Sequence, residues 1–292
     1  KLSAGSATGY SAAGVVIELG DEVDGFAVGD RVACAGAGIA NHAEIIDVPV
    51  NLAVKVPEDL ETGIASTVTL GAIAMQGVRR AQPTLGETFV VIGLGILGQI
   101  TAQMLAANGC RVIGVDLDPR RIQLALDNGM DVGVNPALEN YVERILKFTD
   151  GLGADAVIVT AATESNQVIS EAMQSCRKKG RVVLVGDVGL DLNRADFYKK
   201  ELDFLISTSY GPGRYDPFYE EGGHDYPIAY VRWTENRNMQ AYIDLLAKGK
   251  VRLGNLCRPP YPIDKSGEAY DALKGGDDKP LLVLLEYPER DG

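Results

Sequence analysis

The chain has 292 residues, enough for about two domains and a large core. A net charge of -12 argues against an extended nucleic-acid or anionic-membrane footprint, although a local anion site remains compatible with it. Four scattered cysteines form no C-x-x-C or metal-ligand spacing, and neither a membrane-length apolar run nor a secretory pattern is present, so reduced thiols in a cytoplasm are expected. The first residue is Lys1, so the sequence is expected to start inside a longer protein or to lack its true beginning.

Residues 1 to about 57 read as short strands with tight turns. Val15–Leu19, Arg31–Cys34, Ala43–Val48 and Leu52–Val56 are the strands, and their spacing predicts a barrel-like β domain. Glu61–Arg80 reads as helix. Phe89–Ile92 is a continuous apolar run, the pattern of a strand buried on both faces of a parallel sheet. Gly93, Gly95 and Gly98 follow it as G-x-G-x-x-G. That pattern permits a tight turn, close backbone approach to a pyrophosphate, and close packing of the next helix. Ile96, Ile100 and Met104 mark one face of that helix, which stops at Asn108-Gly109. The helix aims its free amides at a phosphate.

A second strand, Arg111–Val115, ends in Asp116, eighteen residues beyond Gly98 (116 minus 98), where an acid can accept the ribose hydroxyls of NAD. Strand, glycines, helix, strand and acid in one βαβ unit are a strong dinucleotide signal. Next come a helix Pro119–Asn128, a strand Val132–Val134, a helix Tyr141–Phe148, a strand Ala156–Thr160, a helix Asn166–Ser175, and strands Arg181–Val185 and Phe204–Ser207. The alternation implies an α/β fold with a doubly wound parallel sheet. The segment Tyr210–Trp233 differs, being rich in Tyr, Gly and Pro. Helices Met239–Ala247 and Gly267–Leu273 and an apolar strand Leu281–Tyr287 close the chain.

In this order the chain resembles the medium-chain dehydrogenase/reductase superfamily. The residues that carry the likeness are GYSAAGVVIELG (Gly9–Gly20), FAVGDRVA (Phe26–Ala33), HAEII (His42–Ile46), VPEDL (Val56–Leu60) and IGLGILG (Ile92–Gly98). CAGAG (Cys34–Gly38), TLGAIAMQG (Thr69–Gly77) and the stretch Ser209–Met239 resemble the branch of bi-domain oxidoreductases, in which a fused or partner inositol-dehydrogenase-like domain follows. The resemblance implies a Rossmann domain (71–208) inserted in a β-rich GroES-like catalytic domain (1–70 and 209–292) that lacks the superfamily's first strands. It also implies that Gly93, Gly95, Leu97 and Gly98 hold the pyrophosphate and that Asp116 and Arg121 hold the adenosine ribose. Thr160 and Ala161 would border the cofactor, and Val185, Gly186 and Asp187 would meet the nicotinamide amide through backbone groups. Arg120 and Arg121 on a 2′-phosphate would mean NADP, but Asp116 would repel that phosphate, so NAD is expected.

Zinc-dependent members carry Gly-His-Glu where this chain has Gly9-Tyr10-Ser11, and a later cysteine near Thr69-Leu70-Gly71. Neither Tyr10 nor Leu70 is a zinc ligand, and a catalytic site needs three protein ligands, so no metal is expected. A side chain or water must then supply the proton in hydride transfer. The candidates are Tyr10 and, in the aromatic segment beside Arg214 and Asp225, His224; His42 reads as structural. The expected function is a zinc-independent NAD(H) oxidoreductase interconverting an alcohol and a carbonyl, with a carbohydrate-related small molecule as substrate. The alternatives are a quinone or enoyl reductase and a non-catalytic nucleotide-binding scaffold. The strand Leu281–Tyr287 and exposed sheet edges lead to an expected homo-oligomer.

Overall fold

The computed structural model describes residues 8–275 and 279–288. From the amino end, β1 (Ser11–Val15), β2 (Arg31–Ala35) and β3 (Ala53–Lys55) precede helices α1 (Thr62–Ala65) and α2 (Val68–Ala81). The alternating stretch runs β4 (Thr88–Ile92), α3 (Ile96–Ala107), β5 (Arg111–Val115), α4 (Pro119–Asp127), β6 (Val132–Val134), α5 (Tyr141–Phe148) and β7 (Ala154–Val159). It continues through β8 (Ala162–Thr163), α6 (Gln167–Ser175), β9 (Cys176–Leu184), β10 (Asp187–Val188), α7 (Arg194–Phe197) and β11 (Asp203–Ile206). The remaining elements are α8 (Pro217–Glu220), α9 (Glu235–Ala247), β12 (Tyr261–Pro262), α10 (Ser266–Lys274) and β13 (Leu285–Glu286).

The chain divides into two compact units. One takes Ile73–Ser209 with Lys250–Arg252, and the other takes residues up to Ala72, Tyr210–Gly249 and Leu253 onward.

In the first of these, six parallel strands lie in the order β11-β9-β7-β4-β5-β6. Strand order reverses between β4 and β7, the switch point at which open α/β sheets bind ligands beyond their carboxyl ends. All five residues of β4 are buried. The core of Val90, Ile92, Ile113, Val157, Val182 and Met173 is almost wholly inaccessible. Helix α3 is buried from Gly98 through Leu105, on more than the one face its sequence spacing marks, so it packs as a core helix. Gly109, at φ +81°, ends it. Asp118 caps α4 by accepting the Arg120 amide, with Pro119 in the first turn, and Asn140 caps α5 through the amides of Val142 and Glu143.

In the other unit, β1, β2 and β3 form an antiparallel sheet around Val32, Cys34 and Ala40. Five sequence expectations need correction here. The first strand is Ser11–Val15, not Val15–Leu19. Residues 42–45 are bends, and Ile46 and Val48 pack on the small core from a loop, so an apolar alternation without a partner strand formed no ladder. The described strands make an open three-stranded sheet, not a closed barrel. Leu281–Tyr287 contributes only β13 and a bridge from Leu282 to Cys257, and β13 pairs with β12. The expected helix Glu61–Arg80 breaks at Ser66-Thr67, whose hydroxyls bond back to Gly63 and Ile64 carbonyls. Tyr242 of α9 is fully buried, its hydroxyl 2.9 Å from Thr67 Oγ1 and its ring where a Cβ on Gly71 would stand.

Candidate functional site

Beyond the carboxyl end of β4 the chain turns through Gly93, which lies at φ +91° and donates its amide to Val115 O at 2.8 Å. A Cβ there would stand 2.7 Å from the Ala161 amide. A Cβ on Gly98 would stand 1.9 Å from the Gly93 carbonyl oxygen, so α3 approaches the turn as closely as backbone allows. A Cβ on Gly95 would meet nothing within 4 Å. The three glycines therefore do different work, two permitting protein contacts and the middle one facing open space.

Gly95 caps α3 without a side chain, and the Gln99 amide bonds to Gly95 O at 2.9 Å. The amides ahead of it have no helical acceptor and, with the dipole, favour an anion. Leu97 is half-buried in this first turn.

Two neighbouring strands lock the turn. Asp116, at the end of β5, accepts the Leu94 amide on one oxygen at 2.7 Å and the Asp118 amide on the other at 2.8 Å. Its side chain is only 8% exposed, and Arg121 Nη1 lies 3.6 Å from it. A carboxylate has about four lone-pair positions, so acceptor capacity remains for ribose hydroxyls. On the other flank the Thr160 hydroxyl donates to Gly93 O at 2.6 Å, so Thr160 acts on the turn itself. Arg120 grips Asp118 through Nε and Nη2 at 3.2 and 3.0 Å, and these bonds hold the Asp118 carboxyl below the ordinary range.

Ala161, Val185, Gly186 and Asp187 gather beyond β7 and β9. A Cβ on Gly186 would stand 2.0 Å from Ala161 O. The amides of Val185 and Gly186 both bond to Val159 O, and that of Asp187 bonds to Ala161 O. Ser207, past the end of β11, adds a hydroxyl that sequence reading missed. It is 8% exposed and without a partner, and nothing in the local sequence marks it.

The proton-donor candidates lie in the other unit. Tyr10 is 42% exposed, yet desolvation holds its phenol above the ordinary range. His224 is exposed and stacks on Phe218, ring centroids 4.0 Å apart. Among the described residues no hydrogen bond or ring contact joins Tyr10 to His224. Arg214 and Asp225, which share the aromatic segment with His224, are each ion-paired. Arg214 pairs with Glu220 and Asp225 with Arg237. His42 bonds through Nδ1 to the Tyr270 hydroxyl at 3.0 Å, and its ring lies where a Cβ on Gly9 would be.

Next to Tyr10 and Leu70, the Ser11 hydroxyl donates to Ser66 O and accepts the Thr69 amide, while the Thr69 hydroxyl donates to Tyr10 O. These side chains tie β1 to α1 and α2. Among the described residues no group of three His, Cys, Asp or Glu side chains could hold a metal ion, and no helix is long and apolar enough to cross a membrane.

A family model described as zinc-binding dehydrogenase matches residues 97–221. The D-guloside 3-dehydrogenase of Escherichia coli (strain K12) is 29% identical over 270 residues, 90% of this chain and 72% of that protein. The solved alcohol dehydrogenase rspB of Escherichia coli CFT073, complexed with NADH, aligns with TM-score 0.77 at 21% identity, covering 95% of this chain and 83% of its own. A Sinorhizobium meliloti 1021 dehydrogenase bound to NADP aligns with TM-score 0.71 at 20% identity, covering 90% and 78%. The matching family model and the curated relative are both dehydrogenases, and these two solved structures hold NADH and NADP. With these solved structures the chain shares its fold, a Rossmann sheet with a GroES-like domain.

Proposed function

We propose that this protein is a zinc-independent, NAD(H)-dependent oxidoreductase that interconverts an alcohol and a carbonyl on a carbohydrate-related substrate. The observation that carries the cofactor reading is Asp116, a nearly buried carboxylate that braces the glycine turn and keeps lone pairs for a ribose. Arg120 and Arg121 both face acids, which leaves the local charge unsuited to a 2′-phosphate. The amides at the head of α3 would take the pyrophosphate above Gly95. Carbonyls of Val185 and Gly186 would accept from the nicotinamide carboxamide. When bound, the cofactor gives or takes the hydride.

The zinc-independent part rests on Ser11 and Thr69, whose hydroxyls already serve backbone groups, and on Tyr10 and Leu70 beside them. With no ligand set at these positions, the phenol of Tyr10 is the proton donor, and its raised pKa keeps it protonated at neutral pH. The sugar reading draws on the guloside acted on by the Escherichia coli relative. A homo-oligomer and a cytoplasmic setting belong to the same proposal, the first testable by sedimentation.

The test is nicotinamide absorbance with a panel of sugars, polyols, simple alcohols and enones. NAD reduction by a polyol or sugar is expected, and Tyr10→Phe should lower kcat by about a hundredfold with little change in KM. Turnover of enones alone would favour the quinone or enoyl reductase reading. Cofactor binding without any turnover would favour the scaffold.

A further inference from the structure

Helix α9 starts at Glu235, which is fully buried. Its amide donates to Pro212 O at 2.8 Å, seating the loop before α8 on the head of the helix. Neither oxygen of its carboxyl group has a hydrogen-bond partner. The ionisable groups that face it are Glu220 and Tyr219 from α8, Tyr210 and Arg214 from the loop before it, and Tyr226 from the loop after it. The one cation among them, Arg214, is committed to Glu220 through Nη1, while its Nε has no partner. Arg214 Nη1 donates to Glu220 Oε1 at 2.6 Å, and the Tyr215 amide donates to Glu220 Oε2 at 3.3 Å. This ion pair is itself buried, with side chains 12% and 9% exposed. Arg237, on Glu235's own helix, is paired with Asp225.

Two buried carboxylates and one arginine would leave an uncompensated negative charge in the interior, which proteins avoid by keeping a proton. Two carboxylate oxygens are both acceptors and repel, whereas a carboxylic acid beside a carboxylate becomes a donor and an acceptor. The loop this arrangement holds is backbone-strained. Gly211, Gly213 and Tyr215 all lie at positive φ, +116°, +106° and +69°, and at Tyr215 a non-glycine residue bears the cost.

We propose that Glu235 holds a proton beside the Glu220 carboxylate, and that this neutral carboxyl latches the segment Tyr210–Trp233 onto the head of α9. Burial first, and the neighbouring Glu220 second, push Glu235 up to about 9. The folded-state pKa thus lies above that of the unfolded chain, about 4.3. The stability from the latch is fully present below the unfolded pKa and is lost as pH rises through the folded one. Because the segment also carries Phe218 and His224, alkaline release would loosen the surface they form.

The test compares the whole protein with Glu235→Gln, a neutral side chain of the same shape. Denaturation midpoints between pH 5 and 10 should diverge in favour of the variant as pH rises and stop diverging above about 9. Amide exchange over residues 210–234 should accelerate in the wild type relative to the variant by up to about tenfold per pH unit in that window. A midpoint difference that stays constant with pH would overturn the proposal. If the variant fails to fold, the infrared carbonyl band of a protonated carboxylic acid decides the matter on the wild-type protein alone. Its presence at pH 7 and loss above about pH 10, with the segment's exchange accelerating together with that loss, supports the latch; no such band at pH 7 overturns it.

Discussion

The glycine turn Gly93–Gly98 and the aromatic segment Tyr210–Trp233 solve the problem of ordering a loop in different ways. The turn is held by backbone groups and two short side chains, Asp116 on one flank and Thr160 on the other, and it leaves free space at Gly95. The aromatic segment is held by charged pairs, Arg214 with Glu220 and Arg237 with Asp225, and by Tyr226 donating to Asp216 at 2.5 Å. The glycine pattern and the acid of the turn lie within one βαβ unit, and only Thr160 comes from a later strand end. A loop tied by buried charges depends on proton occupancy and on partners scattered along the sequence.

Breaking each device should show that difference. The largest effect is expected from Arg214→Ala, which strands Glu220 in the interior and should cost about 3–5 kcal/mol in denaturant unfolding. Gly98→Ala comes next. Its Cβ would collide with the Gly93 carbonyl, a backbone atom that cannot step aside, so about 3 kcal/mol should be lost, with cofactor affinity falling alongside and no pH dependence.

Much of the turn was legible in the sequence because its rules are local. Val132–Val134 and Tyr141–Phe148 fall where apolar periodicity puts them, and Pro119 and Gly109 mark helix ends by their own chemistry. The Asp116–Leu94 bond was not readable, since an acid at a strand end signals a ribose and says nothing of the amide 22 positions back. That the amides of Val185 and Gly186 bond to Val159 O and that of Asp187 to Ala161 O was not readable either, since it follows from strand register. The strand expected at Ala43–Val48 failed because alternation without a ladder partner leaves a loop. In the aromatic segment, composition showed an unusual stretch, but the pairing of Arg214 and the isolation of Glu235 depend on how α8 and α9 pack. His42 and Tyr270 are 228 positions apart and no sequence signal joins them.

The most direct test of the cofactor site is fluorescence titration of NADH and NADPH into the wild-type protein and Asp116→Asn. Asparagine keeps an acceptor oxygen for the Leu94 amide while removing the charge, so the turn should survive. The expected result is NADH bound tighter than NADPH by the wild type, with NADH affinity reduced roughly tenfold in the variant, about 1.5 kcal/mol, and the preference between the two narrowed. Equal affinity for both cofactors in the wild type, or an NADH affinity indifferent to the substitution, would contradict the role assigned to Asp116.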